Sequence, residues 1–317
     1  MSPVSKPRRG GSGEGTSEED EISGEDTDIA EVEPPPFWET NRILHVLCGS
    51  RAYGLETPES DWDTRGVCIP PKRYLLGIER FEQHVSDDDD HVVYSLEKFV
   101  RLALAGNPNI IETLFTEGEA VLGITPLGEH LMSNRDLFLS RRVGQRFCGY
   151  AREQLHRIRR HRRWIEDPPS EPSPQAFGGR EEGGRMRWSN ASAQKTYKAA
   201  HKRWRQFQEW REKRNPKRAV LEQRHGYDTK HAMHLCRLLV MGEEILKTGQ
   251  VQVLRPDGAW LKAVRQGLLS YRELVEWADE RTERLTDLES SSPLPVEPDE
   301  EAAAELVLEL QEAFHYG

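Results

Sequence analysis

Apolar positions along the chain change their rhythm twice. The first 36 residues are Gly, Ser, Glu and Asp ending in Glu33-Pro34-Pro35-Pro36, with no apolar periodicity, which predicts a disordered tail. The run RILHVLCGS (42–50) then reads as a strand delivering Gly-Ser into a tight turn, and 66–69 and 91–95 read as two more short strands. SLEKFVRLALAG (95–106) carries helical spacing, NPN (107–109) interrupts it, and IIETLF (110–115) continues as a second short helix or a strand.

From about residue 127 the spacing becomes helical. Segments 143–164, 191–214, 229–249 and 270–289 each read as a helix. Asn215-Pro216 stops the second, Gly249 is placed to cap the third, and Ser270 to start the fourth. Residues 167–187 are rich in Pro, Gly and charge and read as a flexible insertion. An acidic amphipathic helix is expected over 298–314, after the linker SSSPLPVEP. The predicted organisation is a disordered tail (1–36), a small α/β (α+β) domain (37–125), a helical basic domain (126–289) and an acidic C-terminal tail (290–317).

Charge sharpens this division. The net charge is −10, yet residues 141–218 hold 22 Lys and Arg against 8 Asp and Glu. An acidic chain with one basic block signals a polyanionic partner, most often nucleic acid. Solvated, salt-bridged helices are the plainer alternative. Lys198, Lys202, Arg203 and Arg205 are the candidate phosphate contacts. Trp164, Trp188, Trp204 and Trp210 stand beside them, either to stack on unpaired bases or to pack the helices together. No window approaches the ~20 apolar residues of a membrane helix. The N-terminus carries no secretory apolar core, and the four scattered cysteines fit a reducing cytoplasm rather than a zinc ribbon or a disulfide scaffold.

The chemistry concentrates in GSRAYGLETPESDWDTRG (49–66). A Gly49-Ser50 turn after a strand offers backbone N–H groups and a hydroxyl to phosphate oxygens. Asp61 and Asp63, at i and i+2, would share a face on a strand. Converging carboxylates suit Mg²⁺, which keeps substrate phosphates in its coordination sphere. Two such ions would activate an attacking hydroxyl and stabilise a leaving pyrophosphate. Asp90, ahead of VVYS, is chosen as the third carboxylate, with Glu112 the alternative. Arg51 and Arg65 flank the motif, either to neutralise phosphates or to pair with Asp61, Asp63 or Glu59.

A second cluster, TKHAMHLCRLL (229–239), brings Lys230, His234 and Arg237 onto one helical face that could receive a triphosphate. A zinc pair of His231 and His234 is set aside, because no Cys or second acidic ligand is placed nearby. His234 could equally be a packed core histidine, and Asp228 reads as the helix cap.

The pattern GSxxYGxxxxxSDxDxRG resembles the nucleotidyltransferase superfamily related to DNA polymerase β, in the branch associated with RNA ligases. The blocks at 94–115, 226–239 and 253–278 support that branch, so the resemblance spans roughly 42–285. It implies a Pol-beta-like nucleotidyltransferase domain with a small mixed sheet, followed by an all-helical domain. It also implies Mg²⁺ (or Mn²⁺), an NTP as substrate, an RNA end as acceptor and an RNA ligase as companion. Residue by residue, Gly49 and Ser50 match the triphosphate-binding turn, and Asp61 and Asp63 match the metal-binding pair. The alternatives are a non-catalytic nucleic-acid-binding module on the same fold, or transfer to a protein or small molecule.

Overall fold

The computed structural model describes residues 34–88 and 90–317. The disorder expected for the N-terminal tail falls mainly on residues 1–33, outside the described residues. In chain order, α1 (Phe37–Thr40), β1 (Arg42–Leu47), the short turn α2 (Gly49–Ala52), β2 (Thr64–Cys68), α3 (Lys72–Leu76), β3 (Gln83–Val85) and β4 (His91–Ser95) come first. They are followed by α4 (Leu96–Leu104), α5 (Pro108–Leu114), β5 (Val121–Ile124) and α6 (Pro126–Ser133). Beyond these lie α7 (Arg141–Glu166), β6 (Gly179–Glu182), β7 (Arg185–Trp188), α8 (Ala191–Lys213) and α9 (Pro216–His225). The chain closes with α10 (Thr229–Thr248), α11 (Gly258–Arg265), α12 (Tyr271–Ser291) and α13 (Glu300–Tyr316).

Five strands form a mixed sheet in the order β3-β4-β2-β1-β5. β2 and β4 run parallel and the other pairs are antiparallel. β1 buries Ile43, Leu44 and Val46, and β2 buries Val67 and Cys68. A chain of this α/β character followed by helices is what the sequence pattern predicts, and it is what forms.

Local chemistry decides the elements that the pattern leaves open. Residues 110–115 are helical because Asn107 accepts from the Asn109 N–H (3.0 Å) and Pro108 occupies the first turn, restarting a helix where α4 ends. Pro216 likewise ends α8 only by opening α9, a helix that the sequence pattern does not announce. Residues 167–187, expected as a flexible insertion, carry a 3-10 turn and most of the β6–β7 hairpin. Gly183 and Gly184 both take positive φ there, the geometry of a tight two-residue hairpin loop.

α10 is the axis of the helical half. Asp228 Oδ1 accepts from the Lys230 and His231 N–H groups (2.9 and 3.1 Å), and Gly249 ends the helix at φ 68°. Ser270 and Glu273 form a reciprocal capping box on α12. Residues 290–317, read as a tail, are tied down. The Arg141 guanidinium donates to the Ser292 and Leu294 carbonyls, and α13 buries Ala303, Leu306 and Leu310 beside α4 and α6. One apolar core runs from Ile43 on β1 to Leu310 on α13, so the sheet and the helices bury a continuous surface. Among the described residues, no helix is long and apolar enough to cross a membrane. The four cysteines are buried free thiols.

Candidate active site

The site is built where β1 hands the chain to α2. The Cys48 N–H donates to the Asp63 carbonyl (2.9 Å), so the end of β1 is tied to the start of β2. Gly49 follows at φ 65° and presses its backbone on the Asp63 carboxylate; a Cβ there would lie 2.2 Å from Asp63 Oδ2. Only glycine satisfies both the backbone angle and the space. The Gly-Ser motif is thus required partly by its carboxylate neighbour.

Parallel pairing brings Asp90 beside Asp63. Thr64 on β2 pairs with His91 on β4, and the Thr64 N–H donates to the Asp90 carbonyl (2.8 Å). Asp63 and Asp90 therefore precede paired strands by one residue each and enter one cavity side by side. Asp61 and Asp63 stand on the loop before β2 rather than on a strand, so the same-face argument from strand alternation does not apply. Asp61 is exposed beside the cavity, near enough to act electrostatically on Asp63 and Lys230. Burial, then the charges of Asp90 and Asp61, raise the Asp63 pKa above the usual carboxylate value.

The opposite wall is basic. The cavity has a volume of about 420 Å³, in the range of small-molecule sites. Lys230, His234 and Arg237 reach it from α10, Arg157 from α7 and Arg218 from α9. The Lys230 pKa is lowered by burial and by Arg218 and Arg265, with Asp61 and Asp63 opposing. His234 is almost enclosed, and burial with Arg237 and Lys230 holds it well below its ordinary value. It faces the cavity as a neutral imidazole, which offers a hydrogen bond but no charge. Burial pushes the Cys48 thiol up to about 11, so no thiolate is available at this site near neutrality.

Of the remaining sequence candidates, Arg65 enters the cavity while Arg51, Ser50 and Glu112 lie outside its lining. Arg51 donates to the Ser60 and Asp61 carbonyls (2.7 and 3.1 Å) and covers the Trp62 ring at 4.1 Å, so it holds the aspartate loop by its backbone and not by a carboxylate. Ser50 sits half-buried on α2, outside the residues that line the cavity. Arg65 lines the cavity and donates to the Asn109 carbonyl at 3.3 Å. Glu112, the alternative third acid, lies beneath the floor of the site. It accepts from Tyr53 Oη at 2.5 Å and pairs with Arg237, whose guanidinium also covers the Tyr53 ring at 3.9 Å. That buried trio commits Glu112 and Arg237 to each other and joins α5 to α10 under the cavity. The sequence offers no local signal for it, since the partners lie far apart along the chain.

The basic block separates its two residue types. Lys198, Lys202, Arg203 and Arg205 are all exposed on α8. The aromatics pack on one another instead: Trp188 on Tyr197 at 4.9 Å, and Trp164, Phe207 and Trp210 within 6.0 Å of each other. Trp164 and Trp210 thus pack between the helices, whereas Trp204 stays half-buried beside His201 at 5.6 Å.

Comparison with known proteins places this arrangement. The chain is 31% identical over 126 residues to an uncharacterized 38.9 kDa protein of the nrdC-mobD intergenic region of Enterobacteria phage T4, covering 35% of this chain and 37% of that protein. It is 32% identical over 79 residues to the uncharacterized protein YcgL of Bacillus subtilis (strain 168), covering 24% and 30% respectively. The chain thus spans about a third of the length of these curated relatives. No solved structure matches it. Residues 28–166 match the RNA repair pathway DNA polymerase beta family, RlaP, a stretch that holds the Gly-Ser turn and all three carboxylates and ends before α10. Over this segment, less than half of its length, the chain is similar to the RNA repair pathway DNA polymerase beta family.

Proposed function

We propose that the chain is a Mg²⁺- or Mn²⁺-dependent nucleotidyltransferase that moves a nucleotidyl group from an NTP to an acceptor hydroxyl at an RNA end. One observation carries the reading: acidic and basic walls face each other across a single cavity, with the Gly49 turn closed on the acidic one. The residues fit a divalent cation. Asp63 is crowded by two like charges and partly withdrawn from water, a repulsion that a hard cation relieves.

Asp61, Asp63 and Asp90 would hold the metal, which when bound neutralises triphosphate charge and makes the acceptor hydroxyl more acidic. Arg51 keeps the aspartate loop in place. The backbone of the Gly49 turn meets the triphosphate, while Arg65 and Lys230 compensate phosphate charge and neutral His234 donates or accepts a hydrogen bond. The acceptor oxygen bonds to the α-phosphorus, the bond from that phosphorus to the bridging oxygen breaks, and pyrophosphate departs with the electron pair. Asp90 takes the acceptor's proton. Lys198, Lys202, Arg203 and Arg205 hold the RNA backbone, and an RNA ligase acts on the same ends. The buried free thiols suit a reducing cytoplasm.

The test incubates the protein with each α-labelled NTP, Mg²⁺ or Mn²⁺ and total RNA, beside Asp61→Ala/Asp63→Ala. Label on RNA with the wild type alone is the expected result. Label on protein would redirect the acceptor. Absence of any transfer, with equal RNA binding by both proteins, would favour a non-catalytic binding module.

A further inference from the structure

Behind the nucleotide cavity lies a second group of ligating side chains. His161 near the end of α7, and Asp228 and His231 at the start of α10, bring three potential ligand atoms within 4.8 Å of one another. They line a separate cavity with Glu222, Trp164 and Trp210, and His231 also borders the nucleotide cavity. The sequence gives no hint of this set, because His161 and His231 meet only through the packing of α7 on α10.

The hydrogen bonds orient the three side chains toward one another and leave His161 Nδ1 without a partner. His231 Nδ1 lies 2.8 Å from Gln154 Oε1 and donates to it, which turns the Nε2 lone pair outward. That Nε2 faces Asp228 Oδ2 at 3.5 Å. The other oxygen of Asp228 already accepts the two helix-capping N–H groups. Burial lowers the His231 pKa, with Asp228 opposing. His161 is 8% exposed, its Nδ1 has no hydrogen-bond partner, and burial lowers its pKa to about 4. Glu222, fully buried and paired to Arg214, also reaches Asp228. Neutral imidazoles and crowded buried carboxyls are the preferred surroundings of a borderline divalent cation.

The spacing agrees. Two ligands at ~2.1 Å from a tetrahedral zinc ion lie roughly 3.4 Å apart, close to the His231–Asp228 separation. An imidazole whose second nitrogen donates to a fixed oxygen, as His231 does to Gln154, is the usual ligand arrangement. We propose that His161, Asp228 and His231 form a zinc site that clamps α7 to α10, with Gln154 orienting His231 and a fourth position open to the second cavity. This site is distinct from the Asp61, Asp63 and Asp90 group and does not depend on the nucleotidyl-transfer reading. The surrounding Arg160, Arg214 and Arg218 weaken cation binding, so the site is one of moderate affinity.

The test titrates untagged full-length protein with Zn²⁺ in excess Mg²⁺, against a chelating indicator. One equivalent is expected to bind to the wild type and to Asp61→Asn/Asp63→Asn. Binding is expected to be lost in His161→Gln and in His231→Gln, and weakened ~10-fold in Gln154→Ala. Equal zinc affinity of the wild type and both histidine variants, or loss only in the aspartate variant, overturns the proposal. Should a histidine variant fail to fold, Co²⁺ on the wild type decides. Intense visible bands of a tetrahedral nitrogen and oxygen set support the site, and the faint bands of an octahedral ion refute it.

Discussion

Gly49→Ala separates the geometry of the site from its mere composition. The substitution removes no charged or polar side chain, yet its Cβ would stand 2.2 Å from Asp63 Oδ2, more than an ångström inside ordinary contact. The Asp63 carboxylate or the α2 turn must therefore move by about 1 Å, a displacement that costs reactions ~100-fold when it falls on a positioning group. The φ of 65° adds left-handed strain of about 1–2 kcal/mol for alanine. For a chain of this size that corresponds to roughly 2–6 °C in Tm. Gly49→Asn divides the two effects, because asparagine tolerates the left-handed region better but carries the same Cβ. Both variants should lose metal-dependent NTP binding and transfer by ~100-fold, while Asn loses less Tm than Ala. The readouts are calorimetric titration with NTP and Mn²⁺, the labelling assay, and thermal unfolding. Wild-type binding and transfer by the alanine variant would refute the packing argument. Recovery by the asparagine variant alone would refute the clash and leave only backbone strain.

Other expectations follow from groups around the same cavity. Glu112→Gln leaves the buried Arg237 guanidinium without its counter-charge and should cost about 3–5 kcal/mol in denaturant unfolding; a change below 1 kcal/mol would show that the pair contributes little. Asp63 has its folded-state pKa raised, chiefly by burial and then by Asp90 and Asp61, so its contribution to stability is full below the unfolded value and is lost as pH rises through the folded one. Asp63→Asn should accordingly raise the Tm of the metal-free protein at neutral pH, with the difference shrinking in acid, while Mn²⁺ affinity falls; an unchanged or lower Tm contradicts the repulsion. Changing Lys198, Lys202, Arg203 and Arg205 together to Gln should lower the magnitude of the salt slope for single-stranded RNA by about 3, at ~0.7 for each phosphate no longer neutralised; an unaltered slope would remove α8 from the RNA path.

The part of the site that was legible in sequence is the part held together locally. Strand, Gly-Ser turn and aspartate pair lie within a few residues of each other, and one parallel strand pairing sets Asp90 beside Asp63. The basic wall was legible as a helix face, but its electrostatics were not. Charge on Arg237 is committed to Glu112, and burial removes it from His234; both depend on how α10 packs on α5 and α7. β3, β5 and α9 escaped the pattern because strands of three or four residues and a helix opened by proline carry too little periodicity to read. The docking of α13 escaped for a different reason. Its acidic surface suggested a solvated tail, while Ala303, Leu306 and Leu310 supply the stripe that covers α4 and α6.

A consequence for specificity follows from where the family match stops. The Gly-Ser turn and the carboxylates, the groups shared by any nucleotidyl transfer, lie within residues 28–166. Lys230, His234 and Arg218, which face them, lie outside it, as does α8. On the proposed function, chemistry and choice of substrate would be carried by different stretches of chain that share one cavity. Substitutions on α10 facing the cavity should change which nucleotide or acceptor is used, whereas substitutions at Asp61, Asp63 or Asp90 should abolish transfer to all of them alike.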